Sequence, residues 1–304
     1  MRREGAQPSA RFGGPVGPKR LPTAACIAVL LLAGCGDEQD DAGSTLVDPD
    51  RKPLINSLSV TPGGEELLLT TNRGFFRIED GEASRIAARV RAADGSSPLG
   101  RFLAVSALPD GRLIGSGHPE RKRLAPFLGL IRSTDRGRSW QVVSRYGFTD
   151  LHVLRLRHGN LYAFDAVLPA FLIRPAGGGK WSERPTPPDL VLDFVVDPED
   201  PDHLLASTAD AIFDSTDQAR SWRASSSGSS PRLAWPAADA LYRADQDGLV
   251  YRGENGGWQL IGRIDGEPWK LEAVAAEDLY AALADGAIVH SEDGGRNWEE
   301  VFAP

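Results

Sequence analysis

The chain has 304 residues, with 34 Lys and Arg against 42 Asp and Glu and a formal net charge of −8. So acidic a composition lacks the basic footprint that nucleic acid requires, which excludes that class of partner. Its only two cysteines, Cys26 and Cys35, exclude a disulfide-built scaffold.

Residues 1–34 read as an export signal. Arg2, Arg3, Arg11, Lys19 and Arg20 form a basic stretch, and Leu21–Leu32 forms a short apolar run. Twelve residues are too few to cross a hydrocarbon core of about 30 Å. The tetrapeptide Leu32-Ala33-Gly34-Cys35 resembles a bacterial lipobox, in which cleavage precedes a cysteine that then receives lipid. The alternative is an ordinary secretory signal with a stray cysteine. Lipidation at Cys35 implies a protein held on a membrane surface outside the cytoplasm, because two or more acyl chains anchor stably. Removing residues 1–34, with five basic groups and one acidic, takes the net charge from −8 to −12. The following segment, residues 35–53, is acidic and short of large apolar groups, so it reads as a tether.

From residue 54 to 304 the chain reads as one all-β domain of repeating units. The expected units are Leu54–Val90, Arg101–Tyr146, Phe148–Pro187, Leu190–Ser226, Arg232–Gly262 and Pro268–Phe302. In the first, strands are expected near Leu58–Val60, Glu66–Thr70 and Gly74–Ile78. The segments GRLIGSG, GNLYAFD, DHLLAST, DALYRAD and DLYAALA occupy the equivalent second strand of their units. Three copies of one pattern end such units: STDRGRSW at Ser133–Trp140, STDQARSW at Ser215–Trp222 and SEDGGRNW at Ser291–Trp298. Weaker relatives end at Trp181 and Trp258, so tryptophans recur at 140, 181, 222, 258 and 298. A period near ~40 residues is the signature of four-stranded propeller blades, and six are expected here, or seven if the tether adds one.

The turn chemistry accounts for the residue types. Asp135, Asp217 and Asp293 can accept backbone N–H groups within a tight turn. Gly137 and Gly295 supply positive φ, whereas Ala219 in the second copy predicts a strained or altered turn. Ser133, Ser215 and Ser291 open the pattern, and Trp140, Trp222 and Trp298 start an outer strand with a large apolar face between blades. These residues read as structural staples.

The S-x-D-x-G-x-x-W pattern is the Asp box, and the chain resembles bacterial Asp-box (BNR-repeat) propeller lipoproteins, often labelled glycosyl hydrolase or exo-sialidase-like. The stretch GSGHPE…LGLIRSTDRGRSW…DLHVLRLRHGNLYAFD carries the closest likeness. The resemblance implies a propeller over residues 54–304. Sialidase chemistry, which that label implies, would need arginines from early inner strands to grip a carboxylate. Phe76-Arg77-Ile78-Glu79 and Leu172-Ile173-Arg174-Pro175 sit instead in third strands, so Arg77 and Arg174 are expected to be solvated.

A ligand is expected on the face opposite the Asp boxes, where loops vary over a rigid scaffold. The second unit carries an insertion there, His118–Phe127, with Glu120 and the basic run Arg121-Lys122-Arg123. Arg73 lies in the matching turn of the first unit, and Arg232 opens the fifth. Asp150 and His152 alternate onto one side of a strand. With His118 and Asp193 they are expected to converge as a metal site, an acid–base pair or a hydrated polar network. Glu272 is a further contributor from the sixth unit. Asp150, Asp193 and His152 are the catalytic candidates if the protein is a glycoside hydrolase. The favoured expectation is a lipid-anchored, monomeric binding or scaffolding module for a protein or glycan, without cofactor or metal. An assembly factor for a membrane complex is the third reading.

Overall fold

The computed structural model describes residues 53–64, 66–227 and 231–304. The export signal, Cys35 and the tether, and with them any seventh blade, lie outside the described residues. Among the described residues all regular structure is β, with no helix.

The first sheet is β1 (Ile55–Val60), β2 (Leu67–Thr71), β3 (Gly74–Glu79) and β4 (Glu82–Arg85), antiparallel and in chain order. After it come β5 (Arg89–Ala92), β6 (Gly95–Ala107), β7 (Leu113–Pro119), β8 (Leu130–Ser133) and β9 (Ser139–Ser144). The third sheet is β10 (Leu151–Arg157), β11 (Asn160–Asp165), β12 (Ala170–Pro175) and β13 (Ser182–Arg184). The fourth is β14 (Asp193–Val196), β15 (Leu204–Ser207), β16 (Ala211–Ser215) and β17 (Arg223–Ser227). Then come β18 (Arg232–Ala237), β19 (Ala240–Ala244), β20 (Leu249–Glu254) and β21 (Gly257–Arg263). The chain ends with β22 (Pro268–Ala273), β23 (Leu279–Leu283), β24 (Ile288–Ser291) and β25 (Glu299–Phe302).

Five of these are four-stranded blades of the expected kind, in a propeller arrangement. The second unit departs from expectation. Strand β5, expected at the end of the first unit, pairs antiparallel with the start of β6 and parallel with β9, closing β5–β9 into a small barrel. The tight turn before Gly95 (φ 135°) makes this possible, since Ala92 pairs directly with Gly95. The two turn residues are Ala93 and Asp94, and Gly95 opens β6. Register shifts at Leu99/Arg101 and Phe102/Ala104 then let the long β6 serve β5 and β7 in turn.

Burial explains the strand types. Second strands are apolar without alternation, as in LLLTT, LLAS and LYAAL, and every residue of these three is buried. A strand covered on both faces needs no polar side. Outer strands such as EASR and RASSS are mostly exposed. Six apolar clusters fill the gaps between consecutive units, and Ile55, Leu58, Phe76, Tyr280 and Phe302 join the last unit to the first. The ring therefore closes by packing. Innermost strands β1, β6, β10, β14, β18 and β22 adjoin in that order around a central channel.

Candidate functional site

The three S-x-D turns are built alike. Ser133 Oγ donates to Asp135 Oδ1 (2.8 Å) and accepts the Gly137 N–H (3.0 Å). Ser215 and Ser291 repeat this with Asp217 and Ala219, and with Asp293 and Gly295. The residue before each tryptophan, unremarked in the sequence reading, completes the staple. Ser139, Ser221 and Asn297 each give a backbone N–H and a side-chain donor to the same carboxylate. Donors from Ser221 and from the Asn297 backbone hold Asp217 and Asp293 down to about 2. Ala219 takes φ 60°, in the left-handed region where Gly137 (85°) and Gly295 (86°) also lie, so the expected strain is present. Trp140 and Trp298 donate within their own turns, to Gly137 O and Gly295 O, whereas Trp222 reaches Pro185 O of the preceding blade.

On the opposite face, the insertion folds back onto its own unit. Arg121 N donates to Ser97 Oγ (3.0 Å), Ala125 N to Tyr146 Oη (2.9 Å), and Leu124 is buried. Arg121, Lys122, Arg123 and Glu120 remain exposed. His118 is half-buried, bonded through Nδ1 to Pro126 O (2.8 Å) and edge-on to Phe127 at 5.6 Å. The structure joins His118, Asp150 and His152. Asp150 Oδ2 lies 3.2 Å from His152 Nε2, and Oδ1 lies 3.5 Å from His118 Nε2, at the limit of an interaction. Burial pushes the Asp150 carboxyl up, but hydrogen bonds from the two imidazoles outweigh it and hold it at about 2. Beneath, Asp165 accepts the N–H groups of Asp150 and Val167, and its burial pushes it up. The sequence reading did not single it out as a site residue.

Phe127 O accepts the Gly147 N–H, and Asp150 O accepts the Ala166 N–H, so the insertion, the link into β10 and the β11–β12 turn form one surface. That surface exposes Phe148 (74 %) and Leu168 (71 %). Arg73 sits half-buried in the β2–β3 turn of the first blade.

Asp193 does not join this group, contrary to expectation. It opens β14 inside the channel, where it accepts Phe194 N (2.8 Å), Leu233 N (3.2 Å) and Arg155 Nη2 (3.1 Å). Arg155 also donates to Glu272 Oε2 (3.2 Å) and Phe194 O (2.6 Å). Arg232 is buried there too and carries no surface site. The signals for this interior group were R-L-R in β10 and W-K-L-E in β22, in which alternate residues share one face. Arg77 and Arg174, expected in solvent, are buried. Arg77 pairs with Glu66 (2.9 Å) and donates to Arg136 O, and Arg174 bonds Ser144 Oγ and lies 5.4 Å from the Trp181 ring. Third strands face neighbouring blades, so their arginines bridge units. The other histidines have carboxylate or carbonyl partners: His203 with Asp197, His290 with Asp278, and His158 with Asp197 O. Among the described residues, no three His, Cys, Asp or Glu side chains form a metal-holding group.

At the end where the S-x-D turns lie, a cavity of about 310 Å³ opens among the C-terminal ends of the innermost strands, with Pro109, Arg157, Trp235 and Glu272 in its wall.

No protein-family model and no curated protein sequence matches the chain. Solved structures do, and they define the class as a β-propeller. The chain is 18 % identical to a GH74 xyloglucanase from Xanthomonas campestris, with a TM-score of 0.50, over 82 % of this chain and 38 % of that one. It thus spans well under half of the xyloglucanase. YCF48 bound to D1 peptide is 17 % identical with a TM-score of 0.51, covering 82 % and 81 % of the two chains. A chain of the nidogen/laminin complex is 12 % identical with a TM-score of 0.57, covering 79 % and 93 %. Identities this low establish the fold alone.

Proposed function

We propose that the chain is a binding or scaffolding propeller whose protein partner docks on the face formed by His118–Phe127, Phe148 and Val167–Leu168. One observation carries this reading: two large apolar side chains, Phe148 and Leu168, stand in solvent on segments hydrogen-bonded to, or continuous with, the insertion that carries three consecutive exposed basic residues. Exposed anchors of this kind next to a charged rim suit a protein partner with an acidic, apolar-bearing segment better than a sugar. Two structural neighbours are recorded with partners, YCF48 with the D1 peptide and nidogen with laminin, and this is consistent with such a role. The closed β5–β9 unit is counted in this reading as the sixth blade, and the S-x-D turns as Asp boxes of the BNR kind. The L-A-G-C sequence supports lipid attachment at Cys35, which would hold the propeller at an extracytoplasmic membrane surface.

The hydrolase reading has less support. Asp150 is held by two histidines, and Asp193 and Glu272 share Arg155, so each of these three carboxylates is engaged with a basic partner. A role in assembling a membrane complex is a special case of protein docking. The test sets the full chain in detergent against arrays of acidic peptides, neutral peptides and glycans, beside R121A/K122A/R123A. Retention on acidic peptides, lost in the triple variant and without cleavage of fluorogenic glycosides, is the expected result. Glycoside turnover abolished by Asp150→Asn would replace this reading with the hydrolase, and retention on glycans alone would move the ligand to sugar.

A further inference from the structure

The central channel is barred part-way along its length. Arg155 reaches from β10, in the third unit, to Glu272 on β22 in the sixth (3.2 Å). Its other donors take Asp193 (3.1 Å) and Phe194 O (2.6 Å) of the fourth unit. The third and sixth units stand opposite each other in the ring, so this crossbar spans the channel. The cavity of about 310 Å³ at the S-x-D end and an inner space of about 40 Å³ both have Ser106, Arg155 and Glu272 in their walls. The crossbar therefore floors the larger one and makes it a cup.

Each of the six innermost strands, or the turn after it, contributes to the cup. Val60, Pro109, Val196, Pro236 and Val274 make most of its wall apolar. The charged side chains that line it are Arg155, Arg157 and Glu272, two cations against one anion. Glu272 is already bonded to Arg155. Asp193, the other carboxylate of the crossbar, lies on its inner side, where Lys270 faces it. Arg157 is left without a matched partner. It is half-buried, donates through Nη2 to Trp235 O (3.0 Å), and makes no other hydrogen bond and no ion pair among the described residues. Glu272 attracts it, but burial and then the Arg155 charge outweigh that and push Arg157 down from the ordinary arginine value. A mostly apolar concavity of this size with one convergent polar group has the form of a small-molecule site. A guanidinium held by one bond offers its remaining N–H groups to a carboxylate, and its single charge suits a monoanion better than a phosphate. We propose that the cup binds a small carboxylic acid, with the carboxylate on Arg157 and an apolar body against the valines and prolines of the wall. The cup lies at the opposite end from the docking face and does not rest on that reading.

The test uses the full chain in detergent, titrated with benzoate and with benzamide, its neutral counterpart of similar shape, at constant ionic strength. Melting temperature and calorimetric heat are the readouts. A ligand that binds only the folded state raises the melting temperature in a saturable way. Benzoate should give a saturable rise and benzamide none. The benzoate response should weaken tenfold or more in Arg157→Gln and stay unchanged in R121A/K122A/R123A. Val274 is exposed in the wall of the cup, so Val274→Glu adds a repelling charge there without disturbing the core. That variant should melt like the parent and bind benzoate at least threefold more weakly, which decides the matter if Arg157→Gln does not fold. No saturable response to benzoate, an equal response to benzamide, or binding untouched by both cup variants would overturn the site. Loss in the loop variant alone would place the anion on the insertion and overturn it too.

Discussion

The two ends of the propeller satisfy their polar groups in opposite ways. At the S-x-D end, each turn is complete within eight residues, as Ser133, Asp135, Gly137 and Ser139 bond one another. At the other end, partners come from distant parts of the chain: Ser116 accepts the Leu151 N–H, Ser97 the Arg121 N–H, and Asp165 the Asp150 N–H. Local closure gives a module that can be repeated unchanged. Long-range closure gives a surface that is particular to this chain, and it is there that apolar side chains stand exposed and titratable groups collect.

Five experiments would break or sharpen that contrast. The largest effect is expected at the repeated end, where Trp140 is 1 % exposed and packs against Phe75 and Phe102 at 6.3 and 5.2 Å. Trp140→Ala should destabilise by ~3–5 kcal/mol in urea titrations. A loss under about 1 kcal/mol would show that the turn tryptophan is dispensable.

Next, the channel interior should respond to pH through Lys270. Its folded-state pKa is depressed, so the unfolded chain binds more protons between about 8 and the ordinary lysine value of 10.5, and stability should rise with pH across that window. Lys270→Met should be the more stable protein at pH 7, by up to ~3 kcal/mol, with the difference shrinking above pH 8. Arg232, Arg155, Asp193, His152 and Glu272 face the same ammonium, so the experiment needs each variant compared with the parent at every pH. A constant difference from pH 7 to pH 10.5 would contradict the buried charge.

Asp150 tests the particular end. Its carboxyl is held at about 2 against the ordinary aspartate value of 3.8, so its contribution is present above 3.8 and is lost as pH falls through 2. Asp150→Asn should cost ~2 kcal/mol at pH 7 and nothing at pH 2, read from thermal unfolding.

The turn position shared by Gly137 and Ala219 makes a smaller, two-sided test. A Cβ on Gly137 would sit 2.4 Å from Phe75, so Gly137→Ala should lose ~1–3 kcal/mol. Ala219 already accommodates its methyl, and Ala219→Gly should change stability by less than about 0.5 kcal/mol, since relief of the left-handed strain offsets the lost burial. Equal effects at the two sites would mean that the turns are not distinguished by their surroundings. Smallest in stability is R121A/K122A/R123A, within about 0.5 kcal/mol because the three side chains are exposed. Its effect should appear in peptide retention instead. A fall in stability beyond 1 kcal/mol would show that the run braces the fold.

Much of the fold was legible because blades are local. The apolar LLAS and LYAAL segments, the tryptophan period and the turn aspartates each act within one unit, and the strands fall close to where they were expected. The exception is instructive. Whether β5 completes the first sheet or the second depends on the parallel pairing of Val90 with Trp140, fifty residues away. The site was legible in part. His118, Asp150 and His152 do meet, but Asp193 is withdrawn by Arg155, and Arg77 and Arg174 are buried where alternation alone predicted solvent. Strand alternation says which side a residue faces and not what lies opposite, and in a ring of packed sheets both sides are covered.

By itself, then, the amino-acid sequence determined the all-β repeat and the self-contained turns, whose interactions span fewer than ten residues, but not where the second unit begins, since β5 (Arg89–Ala92) joins it ahead of the expected Arg101. Only the tertiary structure decided how the second unit closes and which polar residues enter the channel, where Arg155 bonds Asp193 and Glu272. Those outcomes depend on residues 38 or more positions apart, such as Arg155 and Asp193, brought together by packing around a common axis.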